Sequence, residues 1–301
     1  MQPTAILSAL DQEQLGLTEL LQQPQKVQHA GRIFWLGNLH GQSVVLAIAK
    51  IGKVSAAITS AALIERFGVG RIVFTGVAGG LGAGVIVGDV VVATGFVQHD
   101  MNASPLFPRY ELPLYGQTRF ASDTALTALL CQAASAALVS NTTVSGAKLH
   151  QGLIASGDRF VSAAGESRAL RETLAHAGHE ILAVEMECAA VAQVCSDYGV
   201  AFAAVRTISD RADDSAHVDF ATFVEQVASR YTRSVIEKLF LLLWRDLQNS
   251  KLPELESSLT LFFKHSGWVG GMQCVTALIL PVLPVAVPRR SLRTGFELGF
   301  V

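Results

Sequence analysis

Residues 183–213 read AVEMECAAVAQVCSDYGVAFAAVRTISDRAD, and this stretch decides the fold. Two apolar runs, residues 181–184 and 201–208, are short, partly β-branched and bounded by turn residues, a pattern typical of buried parallel strands. Residues 188–198 lie between them and have helical spacing with many small side chains. The stretch therefore predicts a strand, a helix and a second strand, which is the repeating unit of an α/β sheet.

Acidic side chains stand at the ends of both predicted strands. The first run ends in Glu185-Met186-Glu187, and the second ends in Ser209-Asp210. Ligands bind to an open α/β sheet in the crevice at the carboxyl ends of its strands. We therefore expect two neighbouring strands to bring these carboxylates into one crevice.

The whole chain continues this alternation of strands and helices up to about residue 243, which predicts a three-layer α/β/α sandwich with a central mixed, largely parallel sheet. Of its 301 residues, 50% are hydrophobic and 16% are charged, so the chain is able to bury a large core and does not belong to the disordered class. The net charge of -2 excludes the clustered positive charge on which nucleic-acid binding depends.

The N-terminal segment lacks the pattern of a secretory signal, because Asp11 and Glu13 interrupt its apolar run and no basic region precedes it. The 4 cysteines have no zinc-ligand spacing, and buried free thiols are typical of a reducing compartment. We therefore expect a cytoplasmic protein that needs neither a metal nor another cofactor.

The last part of the chain differs in character, so we predict one folded domain over residues 1–243 and a C-terminal extension of unknown role over residues 244–301. Within the extension, residues 268–288 have the length and apolar character of a membrane span. Three prolines, two adjacent glycines and Gln273 interrupt them, and a membrane helix rarely holds all of these in one span. We expect a poorly ordered appendage, with membrane contact as the less favoured alternative.

Three further positions stand where a strand gives way to a turn. Glu13 follows a short apolar run, and it is either a helix-start acid favoured by the helix dipole or a site residue. A strand at residues 71–75 runs into the glycine-rich residues 76–84, where the backbone is able to approach a ligand closely. These glycines match neither the dinucleotide fingerprint nor a P-loop. Phe160 follows another strand end and is either a ligand-stacking aromatic or a core residue.

Several of these motifs, in this order and at this spacing, resemble the 5'-methylthioadenosine/S-adenosylhomocysteine nucleosidases of the purine nucleoside phosphorylase superfamily. The resemblance covers about residues 5–243, and it implies a nucleoside phosphorylase-like fold and a homodimer. It rests on residues 9–13 (ALDQE), 51–54 (IGKV), 75–81 (TGVAGGL), 99–100 (HD), 156–160 (SGDRF), 184–187 (VEME) and 206–213 (RTISDRAD).

Members of this family hydrolyse the N-glycosidic bond of methylthioadenosine or adenosylhomocysteine and release adenine and a thio-substituted ribose. The resemblance implies that Asp210 protonates N7 of adenine, with Ser209 orienting its carboxylate, and that Glu13 activates the attacking water. By the same resemblance, Glu187 binds the ribose hydroxyls. Paired carboxylates in glycosidases divide acid catalysis and water activation in the same way.

The resemblance also implies the residues around the sugar. Met186 packs on the ribose, and Arg206 lies near the water and the ribose. Val77 replaces the serine that many relatives have in the glycine-rich turn, so one hydrogen bond on the ribose side is lost or replaced there.

The base and the 5' substituent have their own residues in the family pattern. Phe160 stacks on adenine, and the backbone at Val161 reads the edge of the base. Ile51 and Phe220 line the pocket for the 5'-thioalkyl group, with Phe220 supplied across the dimer interface. The resemblance leaves the preferred 5' substituent open.

Two other functions stay open at this level. A purine nucleoside phosphorylase of the same fold needs cationic groups around a phosphate dianion, and the glycine-rich residues 76–84 contain no arginine. A non-catalytic nucleoside-binding protein is expected to lose an acid or the water-activating carboxylate, whereas Glu13, Glu187 and Asp210 are all present. The sequence therefore favours hydrolysis.

Overall fold

The computed structural model describes residues 2–140, 146–213, 223 and 227–265, with residues 249–265 as backbone only. The chain divides into two units, Met1–Asn249 and Ser250–Val301. Phe220 and the apolar residues 268–288 lie outside the described residues, and the predicted boundary after residue 243 stays a prediction. Among the described helices, none combines the length and the apolar composition that a membrane crossing needs.

Strands and helices alternate along the first unit. The strands are β1 (Thr4–Ser8), β2 (Gln22–His29), β3 (Arg32–Leu39), β4 (Gln42–Ile48), β5 (Arg71–Gly80), β6 (Val90–Gln98), β7 (Phe120–Ala121), β8 (Leu149–Ser156), β9 (Ile181–Glu185) and β10 (Ala201–Asp210). The helices are α1 (Lys53–Phe67), α2 (Thr124–Ser140), α3 (Ala164–His176), α4 (Cys188–Tyr198) and α5 (Ser229–His265). The sequence predicts helices over residues 54–67 and 188–198, and α1 and α4 match these ranges closely because their apolar spacing is regular.

The strands form one mixed sheet in the order β10-β6-β8-β9-β5-β1-β4-β3-β2, with β7 paired to β6. Strand β5 also pairs with β10, so β10, β6, β8, β9 and β5 close into a ring. The pairings β5–β10, β6–β8, β8–β9, β1–β4 and β1–β5 are parallel, and the others are antiparallel. The predicted α/β fold with a central mixed sheet is therefore confirmed.

Two hydrophobic clusters separate the sheet from its helices. One cluster packs α1 and α4 against the sheet and includes Leu63 and Val191. The other packs α2 and α5 on the opposite side and includes Leu130 and Ile236. Each such side chain that leaves water contributes about 1.5–3 kcal/mol, so both helix layers are held by burial of their apolar stripes.

The sequence predicted that the two strands of residues 183–213, β9 and β10, are neighbours. In the structure they are not. Strand β5 lies between them, running parallel to β10 and antiparallel to β9, where Gly79 pairs with Val184 and Gly80 with Ala183. The prediction of two adjacent parallel strands is therefore wrong. A short apolar run encodes burial but does not specify which strand it pairs with.

A second correction concerns the turns of the β2–β3–β4 meander. The residue pair Gly37-Asn38 predicts a turn, but both residues lie inside β3, and the first turn falls at Ala30-Gly31. All the turn residues there have a positive φ, 47° for Ala30 and 69° for Gly31. This is the geometry of a tight hairpin turn that follows the twist of the strands.

Asp89 ties the start of β6 to the neighbouring strand. Its side chain is fully buried, and it accepts hydrogen bonds from the backbone N–H groups of Ile86 (3.1 Å) and Lys148 (2.8 Å) and from His150 Nε2 (2.7 Å). Three donors therefore converge on one carboxylate beneath the ring of strands.

We expect Asp89→Ala to lower the free energy of unfolding by about 3 kcal/mol, because each buried donor left without an acceptor costs roughly 1–3 kcal/mol. Chemical denaturation of the full chain measures this loss. Asp246→Ala, at an exposed position of α5, is the matched control and is expected to change stability by less than about 0.5 kcal/mol. Equal stability of the two variants would contradict the stabilising role of the Asp89 carboxylate.

Candidate active site

A pocket of about 410 Å³ opens beside the carboxyl ends of β5, β9 and β10. This volume falls in the range of small-molecule sites. All the predicted site residues except Phe220, which lies outside the described residues, line this pocket: Glu13, Ile51, Val77, Phe160, Val161, Met186, Glu187, Arg206, Ser209 and Asp210. Sequence positions almost 200 residues apart thus meet at one place.

Arg206 stands at the centre of the pocket's ionic contacts. Its side chain is 1% exposed, its Nη2 pairs with Glu185 Oε2 and, at 3.3 Å, with Glu187 Oε2, and its guanidinium lies 4.3 Å from the ring centre of Phe74. Burial opposes its charge, but the thiol of Cys188 and the surrounding carboxylates raise the pKa of Arg206 above its ordinary value. The arginine is therefore a permanent, buried cation.

Glu185 is the functional residue that the sequence did not reveal. Its carboxylate accepts the hydroxyl of Ser156 and the backbone N–H groups of Glu187 (3.1 Å) and Cys188 (2.9 Å), in addition to Arg206. The two backbone donors belong to the turn that opens α4. An acidic residue just before a helical stretch is a typical acceptor for such free N–H groups, and this was the available signal.

Glu187, two residues after Glu185, has fewer hydrogen-bond partners. Its Oε1 accepts the backbone N–H of Gly52 at 3.0 Å, and its Oε2 has only the 3.3 Å contact with Arg206 among the hydrogen bonds of the described residues. Burial, followed by the charge of Glu185, raises the pKa of Glu187 to about 8. Glu187 therefore lines the pocket with fewer donors around its carboxyl group than Glu185 has.

Glu13 reaches the pocket from a 3-10 turn, Asp11–Gln14, that follows β1. Its Oε2 accepts the N–H groups of Ala9 and Leu10, both at 2.9 Å, and its Oε1 accepts that of Val77, also at 2.9 Å. Burial raises the pKa of Glu13, while Arg206 and these backbone donors lower it by a smaller amount. The helix-start interpretation of Glu13 is incomplete, because its carboxylate lies buried against β5.

Gly76 makes this arrangement possible. A Cβ at this position would lie 2.4 Å from Glu13 Oε1 and 2.6 Å from Arg206 Nη1. Any larger residue would displace one of the two charged groups. The glycine-rich stretch therefore serves close approach of side chains to the backbone of β5, rather than forming a loop, because β5 continues as a strand to Gly80.

Asp210 and Ser209 lie at the end of β10. The register of β10 against β5 shifts between Ile208 and Asp210, and this bulge lets two successive residues line the same pocket. Asp210 Oδ2 is 2.8 Å from Ser209 Oγ, and Oδ1 accepts the N–H of Ala212 at 2.8 Å. Both side chains are buried, so the carboxylate has a fixed orientation.

Apolar side chains complete the pocket. Val77 and Val161 are buried, Met186 is half-buried, and Phe160 and Ile51 are 43% and 54% exposed. The exposure of Phe160 excludes the core interpretation and places its ring at the pocket wall. A ligand therefore meets hydrophobic surface on one side and buried carboxylates on the other.

Arg159 lines the pocket as well, which the sequence did not predict. Its Nη2 forms an ion pair with Glu166 Oε1 at 2.8 Å, and its side chain is 75% exposed. Among the described lining residues, Arg159 and Arg206 are the cations, and each is engaged by a glutamate. The pocket thus offers proton donors and acceptors but no cluster of free positive charge.

The profile of the phosphorylase superfamily matches residues 3–240. The 5'-methylthioadenosine/S-adenosylhomocysteine nucleosidase of Bacillus thuringiensis (strain Al Hakam) is 35% identical over 242 residues, which is 78% of this chain and 97% of the relative. The relative and this chain therefore correspond over nearly the whole nucleosidase.

Solved structures of nucleosidases are similar to this chain as well. The 5'-methylthioadenosine/S-adenosylhomocysteine nucleosidase from Neisseria meningitidis, in complex with methylthio-immucillin-A, is 34% identical with a TM-score of 0.71, covering 80% of this chain and 99% of its own. The futalosine hydrolase of Helicobacter pylori strain 26695 is 32% identical with a TM-score of 0.69, covering 79% and 97%. The chain belongs to the 5'-methylthioadenosine/S-adenosylhomocysteine nucleosidase family of the phosphorylase superfamily.

Proposed function

We propose that this nucleoside hydrolase cleaves the N-glycosidic bond of 5'-methylthioadenosine and S-adenosylhomocysteine, giving adenine and the 5-thio-substituted ribose. The observation that carries the proposal is the placement of two buried carboxylates, Glu13 and Asp210, in one pocket with Glu187 and Arg206. The names of its relatives support the substrate class.

Asp210 acts as the acid on the leaving base. Cleavage puts negative charge on the purine, and a proton delivered to N7 neutralises it, which contributes roughly 10²–10⁴-fold to the rate. The Ser209 hydroxyl is able to donate to the ionised carboxylate or to accept from the protonated one. Its 2.8 Å contact therefore orients Asp210 both before and after proton transfer.

Glu13 acts on the water. Glu13 and Arg206 both line the pocket, and Glu13 Oε1 and Arg206 Nη1 come together beside the bare backbone of Gly76. A water molecule there has a base on one side and a fixed cation on the other. The same carboxylate offsets the positive charge that develops on the sugar as the bond breaks.

The remaining residues hold the substrate in the roles given by the family pattern. Glu187 binds the ribose hydroxyls and Met186 packs on the sugar. Phe160 stacks on the base, and the Val161 backbone reads its edge. The exposed side chain of Ile51 meets the 5' substituent, together with Phe220 in the family pattern.

Hydrolysis is favoured over phosphorolysis by the charges of the pocket. A phosphate dianion needs free cationic groups, whereas Arg206 and Arg159 are bound to Glu185 and Glu166. Glu13 also lines the pocket, and its ionised form would repel phosphate. A non-catalytic nucleoside-binding role is disfavoured, because both carboxylates are present and buried.

Futalosine is a second candidate substrate. The specific observation in its favour is the likeness to the Helicobacter pylori futalosine hydrolase, which is nearly as strong as that to the Neisseria meningitidis nucleosidase. Both substrates require the same cleavage of a nucleoside, so the two candidates differ in the 5' substituent that the pocket accepts and not in the chemistry at Glu13 and Asp210.

A cytoplasmic homodimer is the form in which we propose that the enzyme works. The described cysteines, Cys131, Cys188 and Cys195, are free thiols, which fits a reducing compartment. Val54 and Ile58, one turn apart on α1, are 70% and 47% exposed, next to the exposed Ile51. An exposed apolar group beside the pocket supports a subunit interface there.

We expect Asp210→Asn and Glu13→Gln each to lower kcat for adenine release roughly 10²–10⁴-fold, because each removes one proton-transfer group. Adenine binding, measured by calorimetry, is expected to change little in both variants. Glu172→Gln, an exposed glutamate on α3, is the matched control and should keep the wild-type rate. A near-wild-type rate in either site variant would refute its role.

Substrate and phosphate dependence are tested together by measuring base release from methylthioadenosine, adenosylhomocysteine, futalosine and inosine, with and without phosphate. The proposal expects release from the two thioadenosine compounds at a rate that phosphate does not change. Strict phosphate dependence would establish a phosphorylase. Preference for futalosine by at least about tenfold in kcat/KM, which is about 1.4 kcal/mol in transition-state binding, would establish the second candidate.

The homodimer is tested by light scattering on the full chain. We expect a dimeric mass for the wild type and a monomeric mass for Val54→Glu, because a carboxylate in an apolar interface is costly to desolvate. Glu180→Gln, which changes an exposed charge away from α1, should stay dimeric. A monomeric wild type at micromolar concentration would refute the interface.

A further inference from the structure

Two glutamates compete for one guanidinium in the pocket. Glu185 and Glu187 both pair with Nη2 of Arg206, but Glu185 is the closer partner, and Glu187 Oε2 lies 3.3 Å away. All three side chains are buried, so water does not screen the competition. The difference in distance shows that Arg206 is bound mainly to Glu185.

Hydrogen-bond donors surround the carboxylate of Glu185. It accepts hydrogen bonds from the Ser156 hydroxyl, from the N–H groups of Glu187 and Cys188, and from Arg206. Ser156 Oγ in turn accepts the N–H of Ala189 at 2.8 Å, so its own hydrogen is directed to Glu185. Four donors thus hold the Glu185 carboxylate in place beside the guanidinium.

The surroundings of Glu187 are different. From the residue that precedes α1 it receives the N–H of Gly52, while the neighbouring Lys53 is paired with Asp100 at 2.6 Å. The other groups that act on it are Arg206 on β10, Glu13 on the 3-10 turn and Glu185 on β9. Two of these three are acidic, and the cation among them is held by Glu185, so a negative charge on Glu187 is disfavoured.

We propose that Glu185 is a positioning residue that takes the Arg206 guanidinium for itself and so leaves Glu187 to meet the sugar as a neutral acid. That Glu187 meets a ribose rests on the proposed function. That Glu187 is neutral in the free protein does not. Ser156 serves as the partner that fixes Glu185 in this role.

A neutral Glu187 recognises a vicinal diol in a specific way. Its hydroxyl donates to one ribose oxygen, and its carbonyl oxygen accepts from the other hydroxyl, whereas an ionised carboxylate only accepts. The raised pKa of Glu187, about 8, agrees with this state at neutral pH. Negative charge is then left to Glu13, on the side of the sugar where the water attacks.

The first test is made on the free full-length protein, without substrate. Infrared spectroscopy detects the carbonyl stretch of a protonated carboxylic acid, and the difference between wild type and Glu187→Gln isolates the band of one residue. We expect a band at pH 6 and 7 that disappears with a midpoint near pH 8. A difference spectrum without this band at pH 6 would overturn the proposal.

The second test removes the charge of the positioning residue. In Glu185→Gln, Arg206 keeps Glu187 as its ion-pair partner and loses Glu185. We therefore expect the midpoint of the Glu187 band to fall by at least about one pH unit, which is tenfold in the protonation equilibrium. The band is isolated by the difference between Glu185→Gln and the double variant that also carries Glu187→Gln. An unchanged midpoint overturns the proposal even if activity is lost.

The kinetic consequence separates positioning from a merely structural role. At pH 7.5 we expect Glu185→Gln to raise KM at least about threefold with a smaller change in kcat, because the neutral fraction of a binding group falls by that factor while Glu13 and Asp210 stay in place. Glu172→Gln should change neither constant. Equal losses in kcat at every pH, with the band unmoved, would assign Glu185 to folding alone.

These outcomes are distinguishable from failure of the proposed function. If the wild type releases no base from any of the four nucleosides, the proposed reaction is refuted, but the infrared band still reports on Glu185 and Glu187. If the reaction is found and the band is missing, only the positioning role is refuted.

Discussion

The buried charge of Arg206 is the constraint on which the rest of the structure depends. A guanidinium removed from water is stable only when carboxylates or other acceptors compensate it. Its partners Glu185 and Glu187 stand on β9 and at the start of α4, while Arg206 itself is in the middle of β10. These ion pairs bring β9 and β10 together on either side of β5. The ring of strands therefore places the carboxylates that compensate Arg206, and the ion pairs in turn stabilise the ring.

Strand β5 supplies the surface on which this arrangement rests. A Cβ at Gly76 would collide with Glu13 and Arg206, and one at Gly79 would lie 2.9 Å from Asp210 Oδ1. Two glycines of one strand thus make room for the carboxylates that we assign to the water and to the base. Their 3-residue separation spans roughly 10 Å along a strand, which is comparable with the length of a nucleoside.

Sequence reasoning recovered the helices and most strands, because regular apolar spacing is a local signal, and acidic strand ends indicated where the pocket lies. The family resemblance implied most of the pocket's lining. It failed for the pairing of β9 with β10, since β5 comes between them through contacts that no local pattern encodes. It also gave no role to Glu185, because a Glu-Met-Glu sequence does not show which glutamate receives the donors of α4 and Ser156. The arrangement in three dimensions distinguishes the two.

The distinction between the two glutamates has a broader physical consequence. Four buried carboxylates, Glu13, Glu185, Glu187 and Asp210, line a pocket whose buried cation is Arg206, so full ionisation would leave a strong excess of negative charge away from water. Such a pocket retains protons at a pH where exposed carboxyl groups have lost them. Cleaving a glycosidic bond to a purine requires both a proton for the base and negative charge beside the sugar. A pocket with more acids than cations supplies both from the same set of residues, once its hydrogen bonds decide which acid keeps a proton.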